Sequence, residues 1–574
     1  MYILEENQCF HKNDGNLMND EQEEEAIQSR GVTISWKDLS VYVMDRGRRN
    51  VSKQLIDNVR GAAKSGDLTA IIGASGAGKS SLMAALAFRT GPEFLIHGDI
   101  RANGLPVDSS YMMRNSGYMH QEDMFIETMT VIEHLWFMML DVGKKIDRLL
   151  KDVGLMSRRN VRIGSGIDDK VLSDGEKKRL AFATELLTDP KILFLDEPTT
   201  GQDSHSANCL VFQLKSFAAK GRTVLCTIHQ PSSTIFNSFN QIILIAEGRV
   251  AFAGLIDQAV EFFASQGYEC PWNYNPADFL ITIVATGSKS ENDEEIAQKL
   301  CDAFLNSEAS KEIDRIFEKQ LQTRHSLNVS NYFLKKELRY FSRLYWLVYR
   351  DFLQVLRDPS VQVIRILQKV IVATIAGLCF MGSVNFDQFG IQATQGVIFI
   401  LVSENAFFPM YATLALIPQE LPLLRREYRT GMYPVYLYYI ARVLSLASCF
   451  FSTAFGSVPL AMAYLVPFDY VLMITMGPFL KLGSLPLYIR WVKYISWLLH
   501  ASEVLTILQW NGVYNISCET ADPELPCITD GAEVLRRYDF DEVNIWMDLI
   551  LMFIIYLIFH VLGYVCLWNR CRWK

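Results

Sequence analysis

The chain has 574 residues, half of them hydrophobic, 12% aromatic and 21% charged, with a net charge of -8. At one domain per ~150 residues this is several units, and the balance sits between a soluble enzyme and a pure membrane protein. No basic stripe rises above the acidic background, which argues against a nucleic-acid binder, and the eleven cysteines form no CxxC pair that would imply a zinc site or a disulfide scaffold for the whole chain.

Residues 1–31 are polar, carry the acidic run Glu21 to Glu25 and show no cleavable signal, so a disordered N-terminus is expected. Charges are then spread evenly up to about residue 345, beyond which come several apolar stretches near the ~20 residues that a bilayer-spanning helix needs. The front half opens with Ala70-Ile71-Ile72, a short apolar strand running into Gly73-Ala74-Ser75-Gly76-Ala77-Gly78-Lys79-Ser80, after which Ser81 to Ala87 reads as a helix. This is GxxxxGK[ST] in its strand–loop–helix setting. The glycines let backbone N–H groups wrap phosphates at a helix N-terminus, Lys79 neutralises their charge, and the Ser80 hydroxyl can ligate Mg²⁺. Further on, Lys191 to Leu195 reads as a strand buried on both faces that ends in Asp196 and Glu197. Asp196 suits the Mg²⁺ shell and Glu197 a general base acting on the attacking water.

Between these lie Gln121 and the run Leu172-Ser173-Asp174-Gly175-Glu176; after them come Gly201-Gln202-Asp203-Ser204 and His229 in Thr227-Ile228-His229-Gln230-Pro231. In this order the motifs resemble an ATP-binding cassette: P-loop, Q-loop, signature, Walker B, D-loop and switch histidine. The resemblance implies Glu197, His229 and Gln121 as catalytic residues. It implies Gly73, Ser75, Gly76, Gly78, Lys79, Ser80, Ser81, Ser173, Gly175 and Asp203 as nucleotide-binding, and Ser80, Gln121 and Asp196 around Mg²⁺. It also implies two cassettes closing head to tail on two ATP molecules. The cassette precedes the membrane half, and that order, with "DEPTTGQDS", "TIHQPSS" and Asn275-Pro276-Ala277-Asp278-Phe279, is similar to the G subfamily of ABC half-transporters and, within it, to the insect eye-pigment precursor group. The implied fold is an α/β nucleotide-binding cassette followed by an all-α transmembrane domain. The implied activity is ATP-driven movement of a tryptophan-derived, kynurenine-type metabolite across a pigment-granule or plasma membrane, by an obligate dimer with a related half-transporter. A sterol or lipid exporter of the same subfamily stays open as an alternative.

One departure falls in the signature, where Asp174 replaces the first of two glycines. A carboxylate there sets like charge against the partner's ATP, so the site capped by this chain is expected to be weakened, unless Asp174 points to solvent.

The organisation expected is a cassette over 32–290, a linker over 291–343 and a transmembrane domain over 344–574. Within the last, 344–359 reads as an amphipathic connecting helix at the membrane surface, with Arg350, Arg357 and Asp358 among apolar residues. Spans are expected at about 361–384, 396–417 and 548–568, with an abnormal stretch over 435–480 and a lumenal loop over 482–544. Glu404 and Asn405 fall inside the second span, where polar groups are costly and face a cavity or a partner. The resemblance implies Asn405, Phe408, Phe479 and Leu480 as substrate-contacting, and Glu427, Gly431 and Tyr433 as part of a coupling loop. The resemblance implies three further helices between the second and last spans; here Val435 to Ser448 reads as the start of the third, Cys449 to Gly456 as the end of the fourth and Ser457 to Leu480 as the fifth, so roughly 40 to 50 residues, two half-helices and their hairpin, are wanting at the join. A chain that binds ATP and a partner without transporting is the reading this gap leaves open. Both termini are expected in the cytoplasm, the N-terminus because the cassette must meet ATP there and the C-terminus because of the basic residues after Trp568. Asn515-Ile516-Ser517 is a glycosylation acceptor, and Cys518 and Cys527 are disulfide candidates in the loop.

Overall fold

The computed structural model describes residues 31–44, 51–91, 93–122, 124–138, 143–164, 171–285, 291–322, 340–357, 359–414, 416–429, 432–445, 453–454, 457–477, 490–517 and 527–572. The chain divides into two units, residues 1–337 and 338–573.

The first unit is α/β. Ten strands occur among the described residues: β1 (Ile34–Met44), β2 (Val51–Ala63), β3 (Leu68–Gly73), β4 (Phe94–Ala102), β5 (Leu105–Pro106), β6 (Ser116–Met119), β7 (Ile192–Leu195), β8 (Thr223–Thr227), β9 (Gln241–Ala246) and β10 (Arg249–Leu255). β6, β7, β8, β3 and β9 pair in parallel in the order β10-β9-β3-β8-β7-β6, with β10 closing one edge antiparallel. All four residues of β7 and all five of β8 are buried, as a parallel sheet covered on both faces demands. Each large apolar side chain so buried contributes ~1.5–3 kcal/mol, which makes these short strands the rigid floor of the unit. β2, β1, β4 and β5 form a separate antiparallel sheet.

Residues 291–343, expected as a linker, begin instead with two helices of this unit, Glu291–Leu305 and Glu308–Gln322. The first buries Ala297, Leu300, Cys301 and Phe304, an i, i+3, i+4, i+7 stripe. Arg249 pairs with Asp302 at 2.6 Å, Arg60 with Asp314 at 3.2 Å, and Ser35 Oγ donates to Gln320 at 2.7 Å, so the charged faces of these helices are tied to the strands.

The second unit is helical. Tyr340–Arg357, Pro359–Cys379, Gln388–Thr413, Leu416–Arg429, Val435–Ser445, Val458–Ile474, Trp497–Trp510, Gly531–Arg537 and Ile545–Arg572 follow one another. Among the described residues one stretch, Glu542–Cys571, is long and apolar enough to cross a membrane. The connecting helix starts earlier than expected, and Arg350 and Asp351 are buried inside it, 2% and 3% exposed. They are not a solvated face, because carboxylates and guanidinium groups from Leu416–Arg429 and Val435–Ser445 meet them.

The join at Ser448 and Cys449, together with Gly431, Phe479, Leu480 and Cys518, lies outside the described residues, and Phe408 is placed only as a position in its helix. Cys527 is disulfide-bonded, and Asn515 is exposed with φ 61°. The expected loop over 482–544 holds the buried helix Trp497–Trp510, whose Ile507 and Trp510 pack with Ile528, Val534 and Phe540.

Candidate nucleotide site and membrane cavity

The loop from Gly73 to Gly78 joins β3 to the helix Lys79–Leu86. Gly78 has φ +102°, a backbone conformation that favours glycine, and a Cβ there would sit 2.6 Å from Ile56 Cδ1, which would have to shift. Lys79 is 6% exposed, and its Nζ donates to the carbonyls of Gly73 at 2.9 Å and Ala74 at 2.8 Å. Burial pulls this ammonium below the ordinary lysine value, and the Glu197 and Asp196 carboxylates push back. Ser75 and Gly76 are exposed at the loop tip, and Ser81 follows Ser80 in the first helical turn.

β7 delivers the two acids beside this loop. Ser80 Oγ donates to Asp196 Oδ1 at 2.9 Å, and Thr227 Oγ1 donates to the same oxygen at 2.7 Å. Thr227 Oγ1 in turn accepts the backbone N–H of Glu197 at 2.8 Å. Glu197 sits at φ 47°, an uncommon conformation for a non-glycine residue, and this bond helps hold it there. Gln121 Nε2 donates to Glu197 Oε2 at 2.8 Å and Thr200 Oγ1 donates to it at 3.1 Å. The structure therefore brings Lys79, Ser80, Gln121, Asp196 and Glu197 into one cluster. Thr227 was not singled out from the sequence, although it is the residue that fixes both acids; its signal was its place two residues before His229.

The remaining site residues lie at helix starts. Ser173 caps Asp174–Leu186 in a reciprocal box with Glu176, and Asp203 caps Ser204–Ala219 through the N–H of Ser206 at 3.0 Å. A Cβ on Gly175 would lie 3.4 Å from Ser206, so the two caps are neighbours. Lys178, on the same signature helix, donates to the carbonyl of Gln121, linking this helix to the Q-loop. Asp174 is 77% exposed and pairs with Lys177 at 3.5 Å. His229 is exposed beyond β8, and no hydrogen bond joins it to Glu197 among the described residues. After it, Asn275 Nδ2 donates to the carbonyl of Pro231 at 2.9 Å, tying Asn275-Pro276-Ala277-Asp278 to the switch loop.

Residues 56–200 match the ABC transporter family model, and 342–448 and 229–307 match two ABC-2 type transporter models. The chain is 44% identical to Protein scarlet of Drosophila melanogaster, over 95% of this chain and 90% of that one. It belongs to the ABC transporters, among the G-subfamily half-transporters. To Protein white of the same organism it is 34% identical, covering 91% and 84%. To the broad substrate specificity ATP-binding cassette transporter of Sus scrofa it is 33% identical, covering 76% and 71%. This ABC transporter is an ATP-binding ATPase and is membrane-associated.

The membrane unit of the transporter holds a cavity of about 500 Å³ between Pro359–Cys379 and Gln388–Thr413. Lys369, Ala373, Gly377 and Phe380 line one wall and Val397, Leu401, Glu404 and Asn405 the other, the first set and Val397, Leu401 and Glu404 or Asn405 recurring at helical spacing. Lys369 Nζ donates to Asn405 Oδ1 at 3.3 Å, and one Glu404 carboxylate oxygen is buried without a hydrogen bond. Asn405 lies on this cavity, and Lys369 joins it there from the facing helix.

Proposed function

We propose that this chain pairs with a White-like half-transporter and moves a small aromatic metabolite, an ommochrome precursor of the tryptophan and kynurenine pathway, across a pigment-granule or other intracellular membrane. The observation that carries the reading is the joint placement of Lys79, Ser80, Asp196, Glu197 and Gln121 in one cluster, in a chain 44% identical to Protein scarlet. On this reading Lys79 leaves its loop carbonyls for the ATP phosphates, and Glu197 orients and deprotonates the attacking water once Gln121 releases it. Ser80 and Asp196 present hard oxygens 2.9 Å apart, the donor type Mg²⁺ takes, with Gln121 as a third. The ion, when bound, would neutralise phosphate charge. Ser173, Gly175 and Asp203 face the partner's nucleotide, and His229 completes the site on closure.

The membrane unit spans several times, with both termini cytoplasmic and Asn515 lumenal. Support comes from the helix Pro359–Cys379, whose Val363, Ile364, Leu367, Val370, Ile371 and Ile375 are all exposed, a face suited to lipid or a partner span. In the cavity, the opposite charges of Lys369 and Glu404 suit the head of an amino-acid metabolite and Phe380 its ring.

A second reading, a chain that binds ATP and its partner without transporting, has its own support. The alignment with Protein scarlet runs over 606 positions, 32 more than this chain has residues, and the ABC-2 membrane match ends at Ser448. ATP-dependent uptake of 3-hydroxykynurenine into vesicles carrying both half-transporters tests the first reading. Uptake that appears only after the missing helices are restored at 448/449 would favour the second.

A further inference from the structure

Outside the nucleotide site and the cavity, three ionisable side chains are buried together. His500 and Glu503 stand three residues apart on Trp497–Trp510, hence on one face, and Asp548 is in the first turn of Ile545–Arg572. They are 4%, 8% and 3% exposed, and one ligand atom from each lies within 4.8 Å of the others. No lysine or arginine pairs with either carboxylate among the described residues. Burying two acids without a cation is expensive.

The imidazole sharpens the imbalance. His500 Nδ1 lies 2.8 Å from Asp548 Oδ1, and Nε2 lies 3.4 Å from the carbonyl of Tyr494. A neutral imidazole has one N–H, so it can satisfy one of these acceptors and must turn a lone pair on the other. Something positive is required. The second oxygen of Asp548 is also buried without any partner. Glu503 is held differently, by Asn544 Nδ2 at 3.2 Å and the N–H of Asp541 at 3.5 Å, both on Oε1. Tyr494 and Asn544 therefore orient the first two groups from behind, in the manner of outer partners of metal ligands.

We propose that His500, Glu503 and Asp548 form a binding site for a divalent transition cation of the Zn²⁺ class, which clamps the helix Trp497–Trp510 to the start of the last helix. One imidazole nitrogen and two carboxylate oxygens, with water in a fourth position, are a zinc ligand set. Two ligands at ~2 Å from a shared zinc lie ~3 Å apart, close to the His500–Asp548 separation. An imidazole ligand disfavours Ca²⁺ and Mg²⁺, which take oxygen.

The test uses the full chain with its partner half-transporter in nanodiscs, stripped with a chelator, desalted and titrated with ZnCl₂ and, separately, CoCl₂. The result expected is one zinc more per complex than Glu503→Gln retains, visible d–d bands from cobalt, a higher melting temperature with zinc, and at least 10-fold weaker zinc binding in Glu503→Gln and Asp548→Asn. Glu503→Gln keeps the His500–Asp548 contact, so it reports ligation even where Asp548→Asn unfolds. Equal zinc content and equal cobalt spectra in the parent and Glu503→Gln would overturn the proposal. So would a melting temperature indifferent to zinc and chelator, which is what a protonated His500 held by the two acids alone predicts.

Discussion

Arg350 Nη1 lies 3.1 Å from Glu427 Oε2, 77 positions away in the chain, with both side chains 2% exposed. Tyr433 donates its hydroxyl to the same carboxylate, and Arg442 pairs with Asp351 at 3.5 Å and with Glu420. Burial works against the Arg350 charge, but Glu427, Tyr433, Asp351 and Glu420 together outweigh it and keep the guanidinium above its ordinary value; burial and then Glu427 push the Tyr433 hydroxyl the same way. The connecting helix, Leu416–Arg429 and Val435–Ser445 are thus locked by charge. Removing one partner strands the other, so Arg350→Met and Glu427→Gln should each destabilise the membrane unit by ~3–5 kcal/mol, while Arg350→Met with Glu427→Leu should recover most of it. Thermal unfolding of the purified complex reads this, and additive losses in the double variant would refute it.

At the nucleotide cluster, Glu197→Gln should lower the dimer's ATPase rate on the order of 100-fold while leaving ATP binding intact, since the amide cannot take a proton from water. Filter binding and phosphate release measured on one preparation separate the two effects. Loss of binding along with turnover would mean that Glu197 holds the loop rather than the water.

In the proposed dimer, Asp174 bears on the other ATP. Its carboxylate is exposed and loosely held by Lys177, so nothing in its own chain turns it away from a partner's phosphates. Asp174→Gly should raise the dimer ATPase rate several-fold, outweighing the ~0.3–1 kcal/mol that an acid lends to a helix N-terminus. An unchanged rate would show that the carboxylate points clear of the nucleotide.

The same helix start makes a pH prediction. Burial favours the neutral form of Glu176, but the Ser173 backbone N–H and Arg158 outweigh it, so its folded value falls below 4.5. A depressed carboxyl contributes stability that is complete above the unfolded value and disappears as pH falls through the folded one. The cassette should therefore lose stability below about pH 4.5, and less steeply in Glu176→Gln; equal acid slopes in a melting series would exclude Glu176 as a contributor.

What the sequence made legible was local. Gly73 to Ser80, Ser173 with Glu176, and Asp203 each act through neighbours within a few residues, so composition and spacing suffice. Thr227 did not announce itself, because its role depends on β8 lying beside β7, with Leu195 opposite Cys226. Arg350 misled for the same reason. Spacing alone marked it as one charge on an amphipathic surface, and only the return of Glu427 makes it interior. Residues 291–322 read as a linker because their apolar stripes are short and charge-rich, and the strands that accept them are distant in the chain, Arg249 lying 53 positions before Asp302 and Arg60 lying 254 before Asp314.

The cavity in the membrane unit yields the prediction closest to transport. Lys369 and Glu404 line one space without pairing to each other, so a ligand bound there would meet both charges. For uptake of 3-hydroxykynurenine, Lys369→Met and Glu404→Gln should each raise KM about 10-fold or more, the size of one lost charged hydrogen bond, while basal ATPase activity is kept. Gly377→Phe should act differently: Gly377 lines the cavity and a Cβ there meets nothing within 4 Å, so a ring is expected to occupy the space a ligand would need. That variant should abolish uptake at normal expression. If it transports as well as the parent, the path runs elsewhere and the placement of Asn405 on this wall is structural.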